Sequence, residues 1–156
     1  MIVGREFDYF ILQEKEWGGD GMMIAFYSMT GNTRRFIRNA QVAEQYDTYE
    51  INASNSSEQI REPFILVTGT YGFGGVPDEV KTFLEVNHEL MVGVASSGNR
   101  NWGNNFARAG EHISDEYGVP LLMKFELHGN QKDREEFIEK AGAMHESLGR
   151  KEIQPY

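Results

Sequence analysis

Three stretches of this chain carry the residue types from which a site for a phosphorylated ring can be built. The first is Ser28-Met29-Thr30-Gly31-Asn32-Thr33. It offers three hydroxyls and an amide as hydrogen-bond donors. It lies between the apolar run Met22 to Tyr27 and a segment with helical spacing at Phe36, Ile37, Ala40 and Ala43. At a helix start the backbone N–H groups have no internal partners and point at any anion placed there. The loop has no lysine of the kind found in ATP and GTP phosphate loops, and no GxGxxG dinucleotide fingerprint. Alone, the hexapeptide reads equally well as an ordinary turn closed by a helix cap. The second stretch is Thr70-Tyr71-Gly72-Phe73-Gly74-Gly75. Its glycines let backbone approach a ligand, and Tyr71 can stack on a flat ring. The third is Ser97-Gly98-Asn99-Arg100-Asn101-Trp102-Gly103-Asn104. Its amides can bond ring carbonyls and nitrogens. Taken singly, Tyr71, Phe73 and Trp102 read as ordinary packing. Together the three loops describe a phosphate at one end and a planar heteroaromatic at the other, as in FMN.

The elements that must position these loops follow from hydrophobic periodicity. A strand is predicted at 22–27, with a helix after it to about Glu44. Tyr46 to Asn52 alternates and reads as a short edge strand. The link that follows is too short for a full crossover helix and holds at most one helical turn near Ser57 to Ile60. Phe64 to Thr68 is nearly all apolar, as in a parallel strand buried on both faces. Pro77 with Asp78 and Glu79 marks a helix start, with Val80, Phe83 and Leu84 on its apolar face. Leu90 to Ala95 is a second buried strand. Phe106, Ala109, Gly110, Ile113 and Tyr117 have helical spacing, with Gly118 as C-cap. Met123, Phe125 and Leu127 form the dry side of an edge strand. Asn130 and Asp133 resemble a capping pair for a last helix, which buries Phe137, Ala141, Met144 and Leu148. Strands alternating with helices make one three-layer α/β domain at 22–149. Residues 1–21, with alternation at Phe7, Tyr9 and Ile11 and a turn at 17–21, are an N-terminal extension. Residues 150–156 are a loose tail. Ligands of such sheets bind outside the carboxyl ends of the strands, where all three loops leave.

Composition narrows the chemistry. The chain has 156 residues and a formal net charge of -9, a surface that repels nucleic acid and anionic membrane. It contains no cysteine, which excludes disulfides, thiolate catalysis and thiolate-bound metals. No apolar run reaches spanning length and no stretch resembles a signal peptide, so a cytoplasmic protein is expected. His88, His112, His128 and His145 are scattered and read as ordinary surface or core residues. Asp115 and Glu116 are adjacent and do not face each other on a helix. No metal site is expected, and redox chemistry has to come from a cofactor.

Residues 23–33 resemble the phosphate loop of flavodoxin-like proteins. Thr68 to Val80, Ala95 to Phe106, Gly118-Val119-Pro120-Leu121-Leu122 and Phe125-Glu126-Leu127 resemble NrdI, the flavodoxin-like accessory protein of class Ib ribonucleotide reductase. The run Ser97 to Ala107 is the strongest tie, and the short link between strands two and three also looks like NrdI. The resemblance implies a five-stranded parallel sheet in the order 2-1-3-4-5. It implies FMN as cofactor, reduced by a cellular electron donor. Reduced FMN then passes an electron to O₂, and the superoxide enters the small subunit NrdF and oxidises its dimanganese centre, forming the Mn(III)₂–tyrosyl radical. The metal belongs to that partner. By the same resemblance the loop from Ser28 to Thr33 holds the phosphate. Thr70, Tyr71 and Gly72 flank the isoalloxazine, and the amides of Phe73, Gly74 and Gly75 can reach flavin N5. Ser97, Gly98, Asn99, Trp102 and Gly103 form the opposite wall, and Arg100 either bridges to a partner or is solvated. No side chain is expected to act as nucleophile or general base. The rival readings are a conventional flavodoxin shuttling single electrons, an NAD(P)H-dependent FMN or quinone reductase, and an interaction module that binds no flavin.

Overall fold

The computed structural model describes residues 21–153. The expectations for residues 1–20 and for the last three residues lie outside it. Five strands, β1 (Met23–Tyr27), β2 (Asp47–Glu50), β3 (Phe64–Thr68), β4 (Met91–Gly98) and β5 (Leu121–Glu126), form one sheet. All neighbours are parallel, in the order β2-β1-β3-β4-β5, as expected. Four α-helices intervene or follow: α1 (Asn32–Asn39), α2 (Asp78–Asn87), α3 (Arg108–Tyr117) and α4 (Gln131–Ile153).

The two-residue alternation of strand side chains sorts the core into two layers. Ile24, Phe26, Ile65, Val67 and Phe125 pack against Phe36 and Ile37 of α1 and Phe137 and Ala141 of α4. Ala25, Phe64, Leu66 and Val94 pack on the other face against Val80, Phe83 and Leu84 of α2 and Ile113 of α3. Every residue of β3 is buried. Its four apolar side chains, withdrawn wholly from water, contribute about 1.5–3 kcal/mol each before the entropic cost of ordering them. Phe36 stacks on Phe125 at 4.0 Å and meets Phe137 edge-on at 5.6 Å, which ties α1 to β5 and to α4.

Helix ends follow local chemistry. Asn130 Oδ1 accepts from the Asp133 N–H (2.8 Å) and Asp133 Oδ2 accepts from the Asn130 N–H (3.0 Å), the reciprocal cap expected of this pair. Gly118 ends α3 at φ +71. Several boundaries move. The first helix stops at Asn39, and a 3₁₀ turn, Val42–Glu44, follows. Phe106 precedes its helix, which starts at Arg108 after a 3₁₀ segment, Arg100–Asn105. The last helix continues to Ile153, beyond the point where the tail was placed. No helical turn forms at 57–60. There Asn87 of α2 reaches across, its Oδ1 accepting from the Ile60 N–H (2.9 Å) while its Nδ2 donates to Glu58 O (2.9 Å) and Phe83 O (3.2 Å).

Candidate functional site

A pocket of about 240 Å³ opens at the carboxyl ends of β1, β3 and β4. The loop after β1 supplies Ser28, Met29, Thr30, Asn32 and Thr33. Gly69, Thr70 and Gly72 come from the loop after β3, and Ser97, Gly98, Asn99 and Trp102 from β4 and the loop beyond it. Three loops far apart in sequence thus converge, as a parallel sheet dictates. Among the described residues that line the pocket none is ionisable, so it offers only neutral donors, acceptors and apolar surface.

The first loop turns on Gly31, at φ +98, directly before α1. Ser28 Oγ accepts from the Gly31 N–H (3.0 Å) and the Arg34 N–H (3.2 Å). The helix ladder begins with the Arg35 N–H on Gly31 O (2.9 Å). The N–H groups of Asn32 and Thr33 lie before that first rung and have no backbone partner. Thr33 itself is buried, its hydroxyl 3.3 Å from the Ser97 hydroxyl. Arg34 is turned aside and pairs with Glu50 at 2.6 Å. The helix start therefore presents neutral donors and the positive end of the helix dipole, with no cation among the described residues that line the pocket.

The second loop closes on itself. The Tyr71 N–H donates to Gly75 O (2.8 Å) and the Gly75 N–H to Tyr71 O (2.7 Å), so the Gly75 amide is committed within the loop. Gly72 and Gly74 take φ +56 and +102, the left-handed region that this tight reversal needs. Phe73, at its tip, is 77% exposed and meets Trp102 of the third loop edge-on at 5.0 Å. The Thr70 hydroxyl donates to Ser97 O (2.9 Å) and accepts from the Ala109 N–H (3.4 Å), so it locks the second loop to β4 and to the start of α3. A Cβ on Gly98 would lie 2.4 Å from the Ala107 nitrogen. Only glycine lets β4 and the pocket floor approach so closely.

Of the residues singled out from sequence, Gly31, Tyr71, Phe73, Gly74, Gly75 and Gly103 do not line the pocket. Tyr71 and Phe73 stand exposed beside its mouth, while the glycines shape the loops. Gly69, Asn105, Ala107 and Leu127 line it and were missed. The position of Gly69 and Leu127, each next after a strand, was the available signal. Arg100 is not simply solvated. It lies over the Phe106 ring at 4.4 Å and pairs with Glu126 at 3.6 Å. Among the described residues, no cluster of His, Asp or Glu is arranged to hold a metal. No described helix is long and apolar enough to cross a membrane.

Flavodoxins are among the solved structures similar to this one. A short-chain flavodoxin associated with a non-canonical PDU bacterial microcompartment superposes with a TM-score of 0.59 at 18% identity, over 82% of this chain and 99% of its own. Oxidised flavodoxin 2 from Bacillus cereus gives 0.56 at 24% identity, over 81% and 99%. The flavodoxin, WrbA-like protein from Agrobacterium tumefaciens gives 0.56 at 12% identity, over 83% and 97%. At such identities these likenesses speak for the fold. The sequence itself carries the finer assignment, because the model of one family, described as NrdI flavodoxin-like, matches residues 24–139. The chain belongs to the NrdI flavodoxin-like family.

Proposed function

We propose that the pocket binds one FMN without a covalent bond, and that the protein serves class Ib ribonucleotide reductase by delivering an oxidant to its small subunit, NrdF. The carrying observation is the pocket at the carboxyl ends of the strands, with unpaired N–H groups on one side, exposed aromatics at its mouth and no ionisable lining. The residues fit the cofactor. The Asn32 and Thr33 amides, with the Ser28 and Thr30 hydroxyls, would hold the phosphate. Thr70, Gly72, Asn99 and Trp102 would hold the isoalloxazine. When bound and reduced by a cellular donor, the flavin would supply one electron to O₂, giving superoxide.

The chain's own part is binding, orientation and access. Among the described residues the wall carries no side-chain acid or base, so these residues would bind and orient and would not relay a proton. The glycine-rich second loop brings Gly72, whose N–H has no backbone partner, to the site, and the rim of Tyr71, Phe73 and Trp102 is open to a partner. A docked NrdF would receive the oxidant before it is diluted or quenched, and the dimanganese centre and tyrosyl radical would form within that partner.

Two measurements test the proposal. Titration should show a marked preference for FMN over riboflavin, and equal affinity would remove the phosphate assignment. Tyrosyl-radical yield, read by electron paramagnetic resonance with manganese-loaded NrdF, reduced protein and O₂, should exceed that with a conventional flavodoxin. A yield equal to that control at saturating complex would leave a one-electron carrier.

A further inference from the structure

Leu127 occupies a place where proteins ordinarily put glycine. It is the first central residue of the turn Glu126 to Gly129, closed by the Gly129 N–H on Glu126 O (2.8 Å), and its φ is +55. For a leucine this left-handed conformation brings Cβ against its own following carbonyl. Three constraints hold it there. The Leu127 N–H donates to Gly98 O (2.9 Å). Glu126 receives Arg100. Gly129, itself at φ +74, sits so close to Phe36 that a Cβ would lie 2.6 Å from the ring. The reward for this strain is not burial in the core. Leu127 is 39% exposed, and its residue lines the same pocket as Ser28, Asn99 and Trp102. Strain retained at a pocket wall marks a position chosen for the ligand.

We infer that Leu127 is a ligand-positioning residue: its side chain is the apolar wall that excludes water from the non-phosphate part of the bound cofactor, and the strained turn exists to present it. The inference rests on the flavin reading above and assigns this residue a place in that site. Its physical content is a trade. A glycine here relieves the left-handed strain, which offsets the extra freedom it gives the unfolded chain. The same glycine removes the wall. A leucine needed only for packing would behave oppositely, since its truncation would lower stability and leave binding alone.

The test uses the full chain with Leu127→Gly and Leu127→Met, thermal unfolding without ligand, and equilibrium titration with FMN and with riboflavin. Leu127→Gly should melt no lower than the wild type yet bind FMN roughly five- to tenfold more weakly, the size expected for losing part of a leucine's apolar contact. Riboflavin should weaken by the same factor, because an apolar wall does not serve the phosphate. Leu127→Met, which keeps the wall, should restore both affinities. FMN binding of Leu127→Gly within about twofold of wild type, or a lowered melting temperature with binding unchanged, would overturn the assignment. A wild-type chain that takes up neither FMN nor riboflavin would overturn the flavin reading itself, and this inference with it.

Discussion

Two loop regions of this protein share a composition of asparagine, serine and small residues and use it in opposite directions. In the link between β2 and β3, the polar groups turn inward. Asn52 Oδ1 accepts from the Ser54 and Asn55 N–H groups (2.9 and 3.0 Å), and Asn55 donates to Glu50 O (2.9 Å) while accepting from the Asn52 N–H (2.8 Å). Asn87, buried beneath, ties down Ile60 and Glu58. Side chains there do what a crossover helix does elsewhere, pairing the backbone groups of the link, the buried Ile60 N–H among them. At the carboxyl ends of β1 and β4 the same residue types spend only part of their capacity on the chain. Asn99 Oδ1 caps the Asn101 N–H (2.8 Å), but its amide group is left over, as are the Asn32 and Thr33 N–H groups. A closed loop and a pocket-lining loop differ in donors remaining, and composition alone does not report that difference.

That contrast is breakable. The largest effect should come from Asn87→Ala, which strands the buried Ile60 N–H, removes the bonds to the Glu58 and Phe83 carbonyls and should cost about 1–3 kcal/mol or somewhat more. Urea denaturation measures it, and the folded fraction should bind FMN as the wild type does. A loss small enough to match a surface asparagine would show that water replaces these bonds and the link is not closed. Thr30→Ala should do the reverse. Thr30 is exposed and makes one long bond, from Asn32 Nδ2 at 3.5 Å, so stability should hold. Loss of a charge-assisted bond to phosphate should weaken FMN by about 1.5–3 kcal/mol and leave riboflavin untouched. Parallel losses for both ligands would mean that Thr30 shapes the loop and does not touch phosphate.

A smaller effect separates two glycines of the second loop. A Cβ on Gly72 would meet nothing within 4 Å, whereas one on Gly74 would lie 3.1 Å from Arg108 Cβ and 3.3 Å from Asn105 Oδ1. Gly72→Ala should therefore cost only the left-handed backbone penalty, about 1–2 kcal/mol. Gly74→Ala should cost more, because the start of α3 must also shift. Equal melting temperatures would remove Gly74 from the joint between the second and third loops.

The sheet was readable because its strands obey one rule at a time. The unbroken apolar run of β3 predicts burial on both faces and β3 has it, and the Asn130–Asp133 pair announces the cap it makes. The misplaced pieces are those where distant segments override local pattern. Helical spacing runs through Phe106, yet Gly98 presses on Ala107, which takes φ +50 and delays the helix. Alternation assigns Leu127 to the dry side with Met123 and Phe125, yet the turn to Gly129 breaks the alternation and sends it to the pocket. The link was predicted from its length to hold at most one helical turn near Ser57 to Ile60, and none forms there. Asn52 and Asn55, both formers of side-chain turns, were the better guide. The three loops were singled out because their residues, ordinary one by one, jointly suit a phosphorylated ring, and their convergence on one pocket follows from parallel topology.

The smallest effect tests whether the closed link is held by hydrogen bonds at its rim as well as beneath. Tyr49 of β2 reaches into the link, donating from its hydroxyl to Glu58 Oε1 (2.7 Å) and to Asn55 O (3.1 Å). Burial, reinforced by that Glu58 carboxylate, pushes the Tyr49 phenol up from 10.0 to about 12. A group whose pKa is raised on folding stabilises the fold fully while both states are protonated. Below pH 10 that contribution is intact, and it fades as pH rises from 10 towards 12, where the unfolded chain has released the proton and the folded chain has not. Other tyrosines, Tyr27, Tyr46 and Tyr117, are also raised, so alkaline unfolding of the wild type alone does not isolate Tyr49. The difference between wild type and Tyr49→Phe does. It should be level through the neutral range and shrink across the alkaline window, whereas Tyr46→Phe, whose shift comes from burial without an acidic partner, tells how much of that shrinkage burial alone produces. A wild-type-to-Tyr49→Phe difference that stays level to pH 12 would mean the phenol keeps no privileged proton, and the link would then be closed by its asparagines alone.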